Sequence, residues 1–405
     1  IISNISVLAS PNYAQLSLQE LQKKNWQRAS YFAKLSKKTV LQKIILSQKY
    51  ASAKSKASFE ERINFLLRNP KWPNYSDIRR EAENAINTDT SYVRVKKWFS
   101  RHPPITPNGF KFHAYAAANE YKKLKQPRQI DTNKRNTIIR QGWIKGSYSR
   151  QEQRAFLQKY RNILTHSDHM NKINHLLWKK NTKQAEILLP LIQKQYRNMF
   201  IARIAAISNM RVTDKLYHNL PENYKYRSGV LYSYIRYKMH RDQNANVTDL
   251  ILRAPSEPKY SSHWWKLKSL YIRELLKKED YKNAYIIARR HYSVNISDKT
   301  DSEWMAGWIA FNFLGNFKQS TGHFKRFYEN VKYPISLSRG SYWLAKAYKA
   351  VGNNNLASYW MNKAANFPET FYGQIAHYYL KKNHLTLPNM PAACDQHCQS
   401  CSTFN

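Results

Sequence analysis

Asp280-Tyr-Lys-Asn-Ala284, Asn316-Phe-Lys-Gln-Ser320 and Asn353-Asn-Asn-Leu-Ala357 repeat one plan, an Asn or Asp followed four places on by a small residue. The first residue suits a corner between two helices, because Asn and Asp tolerate left-handed backbone and cap helix N-termini. The small residue lets the next helix approach closely. The corners are spaced by 36 residues (280 to 316) and 37 residues (316 to 353), close to the roughly 34 residues of tetratricopeptide helix pairs. Two earlier corners, Asn25-Trp-Gln-Arg-Ala29 and Asn181-Thr-Lys-Gln-Ala185, follow the same plan.

The segments leading into the corners read as helices. Trp304, Gly307, Trp308, Phe311 and Leu314 fall on one apolar face, with Gly307 making room for a neighbour. Tyr342 to Gly352 repeats the pattern, and Gly352 matches Gly315 at a helix end. Upstream, Phe59 to Arg68 is stopped by Asn69-Pro70, Ser76 opens a helix through Ala85, and the helix from Ser91 ends at His102-Pro103-Pro104. Each such pair buries its apolar face only by stacking on the next. The expectation is an all-α protein, an α-superhelix or solenoid of stacked, tetratricopeptide-like helix-turn-helix pairs. It would run over 15–385, most regularly over 267–380, between an N-terminal arm (1–14) and an irregular tail (386–405).

Composition narrows the partner. In 405 residues, 67 Lys and Arg face 26 Asp and Glu, a formal charge of +41, and Gly numbers only 10. Such an excess attracts polyanions. Nucleic acid is not expected, since no zinc-finger spacing, RNP-like aromatic phrase or basic heptad region appears. Cell-wall glycans with their peptide carboxylates, teichoic-type polymers and anionic membrane surfaces remain. A mutational bias from an AT-rich genome accounts for the abundant Asn and Tyr. No apolar run reaches the ~20 residues of a transmembrane helix. Ile1 to Ala9, followed by small residues at Ser10 and Ala14, reads either as the tail of a secretory signal or as an irregular arm. Residues 1–393 contain no Cys.

Asn366-Phe-Pro-Glu-Thr-Phe-Tyr-Gly-Gln-Ile-Ala376 resembles the phrase that closes the superhelical domain of soluble lytic transglycosylases. The phrases at 65–73 (Phe-Leu-Leu-Arg-Asn-Pro-Lys-Trp-Pro), 98–104 (Trp-Phe-Ser-Arg-His-Pro-Pro), 178–181 (Trp-Lys-Lys-Asn) and 263–265 (His-Trp-Trp) resemble the same family in collinear order. The resemblance implies a U- or ring-shaped domain in the periplasm with peptidoglycan glycan strands as partner, possessing no cofactor. A separate catalytic or cell-wall protein is a further partner it allows. The family cleaves the MurNAc–GlcNAc bond to 1,6-anhydro products with the Glu of a Glu-Ser pair, followed by Gly-Leu-Met-Gln. Neither motif occurs here, so no catalytic residue is assigned and the chain is expected to bind glycan without cutting it.

Other carboxylates offer no substitute. Glu303 and Glu369 read as solvated or helix-capping groups. By resemblance, Arg339, Tyr372 and Gln374 lie near the junction with the catalytic domain and are the candidate substrate contacts; stabilising the last helix pair is the other reading. Cys394, Cys398 and Cys401, with His397, have spacing that suits iron–sulfur or zinc ligation. They lack a scaffold, so no metal is expected and an irregular tail is the better reading. A tetratricopeptide-like protein–protein scaffold without glycan affinity is the alternative function, and a nucleic-acid-binding helical repeat the third.

Overall fold

The computed structural model describes residues 12–123, 131–242 and 246–380. Most of the N-terminal arm (1–11), and the tail with Cys394, His397, Cys398 and Cys401, lie outside the described residues. Tyr13 and Ala14, counted above with the arm, belong to the first helix, Tyr13–Gln22. The described residues form helices and no strand. They divide into two compact units, between Arg197 and Asn198.

In the first unit, Tyr13–Gln22, Trp26–Leu35 and Thr39–Ala51 pack in succession, and Thr39–Ala51 also touches Tyr75–Asn84. Tyr75–Asn84 reaches Pro107–Lys123, which packs on Thr132–Lys145, and that helix on His166–Trp178. In the second unit, Ser261–Lys277, Tyr281–Arg289, Ile296–Asn312, Phe317–Glu329, Pro334–Ala350, Asn354–Ala365 and Phe371–Tyr379 each pack on the next. The helices two apart also meet, Ser261–Lys277 on Ile296–Asn312 and Pro334–Ala350 on Phe371–Tyr379. Contact with the next helix and the next but one is the packing of an α-solenoid built from helix hairpins.

The corners follow the expected plan with one shift. In all five, the Asn or Asp is the N-cap, its side chain accepting the N–H three residues on: Arg28, Gln184, Asn283, Gln319 and Leu356. The left-handed residue is the one before it: Lys24 (φ 59°), Lys180 (59°), Glu279 (60°), Gly315 (60°) and Gly352 (80°). Tolerance of left-handed backbone by Asn and Asp is therefore not what makes them suitable. The cap N–H of Asn25, Asn181, Asp280 and Asn353 returns 2.9 Å to a carbonyl five residues back, closing a Schellman turn. Ala29, Ala185, Ala284 and Ser320 are fully buried where the following helix crosses its neighbour.

Only Gly occupies left-handed backbone without steric cost. Lys180→Gly and Glu279→Gly are each expected to raise unfolding stability by roughly 0.5–1 kcal/mol, whereas Gly352→Ala lowers it. Urea midpoints of the three variants check the sign.

Two local expectations need correction. The most buried residues of Ile296–Asn312 are Ser302, Glu303, Ala306, Gly307, Ile309 and Ala310, with Trp304, Trp308 and Phe311 only half-buried. The helix is flanked on both sides, by Tyr281–Arg289 and Phe317–Glu329. Small residues therefore fill the close approaches, and the large rings fill the seams. A Cβ on Gly307 would stand 2.8 Å from the Phe324 ring. Ser76 does not open its helix, which begins at Tyr75; the preceding Asn74 side chain instead donates to the Ser47 carbonyl at 3.3 Å.

Candidate functional site

Glu303 is neither solvated nor a helix cap. It is buried on Ile296–Asn312, and its Oε2 lies 2.6 Å from His323 Nδ1 and its Oε1 2.8 Å from Arg326 Nε. His291 Nε2 stands 3.8 Å away. The His323 ring also meets Arg326 Nη2 at 2.8 Å through Nδ1 and the Tyr285 hydroxyl at 3.2 Å through Nε2. Burial alone would raise the Glu303 pKa. The nearby His291, with hydrogen bonds from His323 and Arg326, outweighs it and holds the carboxyl well below its usual range. A general acid at a glycosidic oxygen needs the opposite shift.

Glu83 is the most deeply buried acid among the described residues, 0% exposed. Its Oε2 accepts from Ile105 N (2.9 Å), Thr106 N (2.8 Å) and Thr106 Oγ1 (3.1 Å), at the start of Pro107–Lys123. Burial raises its pKa against those hydrogen bonds and Arg79, but full enclosure keeps substrate away. A Cβ at Gly109 would come 2.3 Å from this oxygen, which explains the glycine. Asp168 is likewise committed, to the Thr165 N–H at 2.8 Å and to Arg140 at 3.4 Å. Glu369 is exposed, and Thr370 caps the following helix in its stead.

The structure brings together two of the three candidate contacts. The Arg339 guanidinium carbon lies over Trp304, 3.3 Å from the ring centroid, and 5.6 Å from that of Phe327. Burial lowers its pKa, opposed by Tyr372 and Asp301 nearby. Tyr372 packs on Tyr342 at 5.4 Å. Gln374 is exposed, two positions along the same helix and therefore on a different face. Arg339 and Tyr372 thus tie the last helices together.

The other quoted phrases also mark packing positions. Trp98 stacks on His102 at 3.8 Å, and Trp72 meets Phe65 edge-on at 5.7 Å. Trp264 donates to Ser228 Oγ at 2.9 Å and Trp265 to Asp301 at 3.0 Å. Gly373 is required because a Cβ would fall 1.8 Å from the Phe367 carbonyl oxygen.

A feature not anticipated from the sequence is a cleft of about 760 Å³ in the first unit. Lys24, Lys34, Lys49, Lys54 and Lys56 line it with Trp26, Tyr31, Gln27, Ser30 and Ser55. One wall is the loop after Thr39–Ala51, held from beneath by Arg62, which is 2% exposed. Its Nε donates to the Tyr50 carbonyl at 3.0 Å, its Nη1 to that of Ala57, and its Nη2 to those of Ser55 (3.2 Å) and Ser52 (3.4 Å).

No family model matches the chain. A stretch of 68 residues is 35% identical to a curated protein described as Ubp4-interactor sfp47, from Schizosaccharomyces pombe (strain 972 / ATCC 24843). That match spans 16% of this chain and 16% of that protein's length. Among solved structures, a chain from the crystal structure of the APC/C hetero-tetramer Cut9-Hcn1 aligns over 91% of this chain and 89% of its own, at 12% identity and a TM-score of 0.21. A likeness that low carries no argument about partners. Among the described residues, no helix is long and apolar enough to cross a membrane.

Proposed function

We propose that this chain is a helical-repeat scaffold that docks an anionic cell-wall glycan without cutting it, the part a superhelical domain plays in a soluble lytic transglycosylase-like protein of the periplasm. The observation that carries the reading is unspent positive charge. There are 67 Lys and Arg against 26 Asp and Glu, and Glu83, Asp168 and Glu303 are consumed in holding the fold. A surface with so few acidic partners for its cations favours an extended polyanion. The collinear phrases add support, since they fall where this fold needs a glycine, a cap or a packed ring.

A protein–protein scaffold is the second reading. Phe371 and Tyr378 on the last helix, 67% and 87% exposed, favour it; a separate catalytic or cell-wall protein would cover them. Co-sedimentation with purified sacculi, beside a DNA arm, separates the readings. Binding to sacculi should be strong at low salt and fall steeply as salt rises, because exposed charges are screened within about 10 Å at 0.1 M. Mass spectrometry should find no released 1,6-anhydromuropeptides. Absence of sedimentation at low salt would leave the protein scaffold as the better account, and anhydro products would overturn the non-cutting role.

A further inference from the structure

We infer that the lysine-lined cleft of the first unit is a subsite for the carboxylates that an acidic glycan carries, an inference that rests on the glycan reading above and places it on named residues. Five lysines line it from separate stretches, Lys24 before and Lys34 within Trp26–Leu35, Lys49 on the next helix, and Lys54 and Lys56 on the loop after it. The single lining carboxylate, Glu61, is tied to the Ser58 N–H at 2.7 Å in a helix cap and does not balance them. Gathering like charges is unfavourable unless an anion lies between them.

The loop is built to hold its lysines in place. Arg62 binds three of its carbonyls and that of Tyr50 in the preceding helix, holding the segment that carries Lys54 and Lys56 and adding positive potential behind them. The lining cations are all lysines, point charges that suit single carboxylates; the guanidinium forks preferred for phosphate and nucleic acid are missing from the lining. Tyr31, 60% exposed, and the half-buried Trp26 offer ring faces for pyranose units. Gln27, Ser30 and Ser55 supply neutral groups for hydroxyls.

The test uses the whole chain and two probes, soluble peptidoglycan fragments and oligogalacturonate, with a single-stranded DNA oligonucleotide as competitor. Lys54→Glu/Lys56→Glu should weaken binding of both glycans about tenfold and flatten its salt dependence. Tyr31→Ala should weaken binding while leaving the salt dependence unchanged. Lys54→Gln/Lys56→Gln replaces the reversal if circular dichroism shows that the latter unfolds. Unaltered affinity in the lysine variants overturns the cleft while leaving sacculus binding by the chain intact. Oligogalacturonate bound through the cleft without any binding to sacculi overturns the peptidoglycan reading and keeps the subsite. DNA bound more tightly than either glycan, and lost with the same lysines, overturns the glycan assignment.

Discussion

Glu303→Gln is expected to lower the stability of the unit beginning at Asn198 by about 1.5–3 kcal/mol at pH 7, the worth of hydrogen bonds to a charged group, because the Arg326 partner is half exposed. The carboxylate is buried against His323 at 2.6 Å and Arg326 at 2.8 Å. Without it, the imidazole and the guanidinium lose the carboxylate that they share. The folded carboxyl is held below its usual range, so its contribution is complete above the unfolded value of about 4.3 and disappears as pH falls through the depressed folded value. Wild type and variant should therefore converge in acid and stand furthest apart near neutrality. Urea unfolding followed through tryptophan fluorescence, with Trp304 and Trp343 packed in the same unit, reads this directly. A gap under about 1 kcal/mol at pH 7, or one that persists unchanged into acid, would mean that the cluster is not holding these helices together.

The corners were legible because their determinants are local. Cap, left-handed residue and small residue lie within six positions, and Asn316 with Ser320 declares two of them outright. The left-handed position was missed because Lys24, Lys180 and Glu279 carry no mark of it; only Gly315 and Gly352 do. Glu303 was misread for a different reason. Its partners stand 20 and 23 residues away on the following helix, and nothing beside Trp304 announces them. Arg339 and Tyr372 were placed in one neighbourhood by the closing phrase, whereas the face on which Gln374 sits depends on the packing of the last helix. The cleft was illegible because five lysines among 67 cations look alike.

What sets those lysines apart is Arg62, the best-enclosed cation of the first helices. Burial pushes its pKa down, opposed by Glu81, Glu61 and Tyr50, yet a guanidinium stays protonated in such surroundings. Its five N–H groups in a rigid fork are what allow one side chain to serve the carbonyls of Tyr50, Ser52, Ser55 and Ala57. Arg62→Met keeps most of the volume and removes every donor. Since a buried acceptor left unpaired costs about 1–3 kcal/mol, the loss should reach about 3 kcal/mol or more. Arg62→Lys should recover less than half of it, because a single ammonium on a shorter stem cannot span the four carbonyls. Amide exchange over residues 52–57 should accelerate in both variants, and glycan affinity should fall although every lining lysine is still present. Stability within about 1 kcal/mol of wild type together with unchanged exchange would show that the loop holds its own shape, and that the charge beneath it is incidental to the cleft.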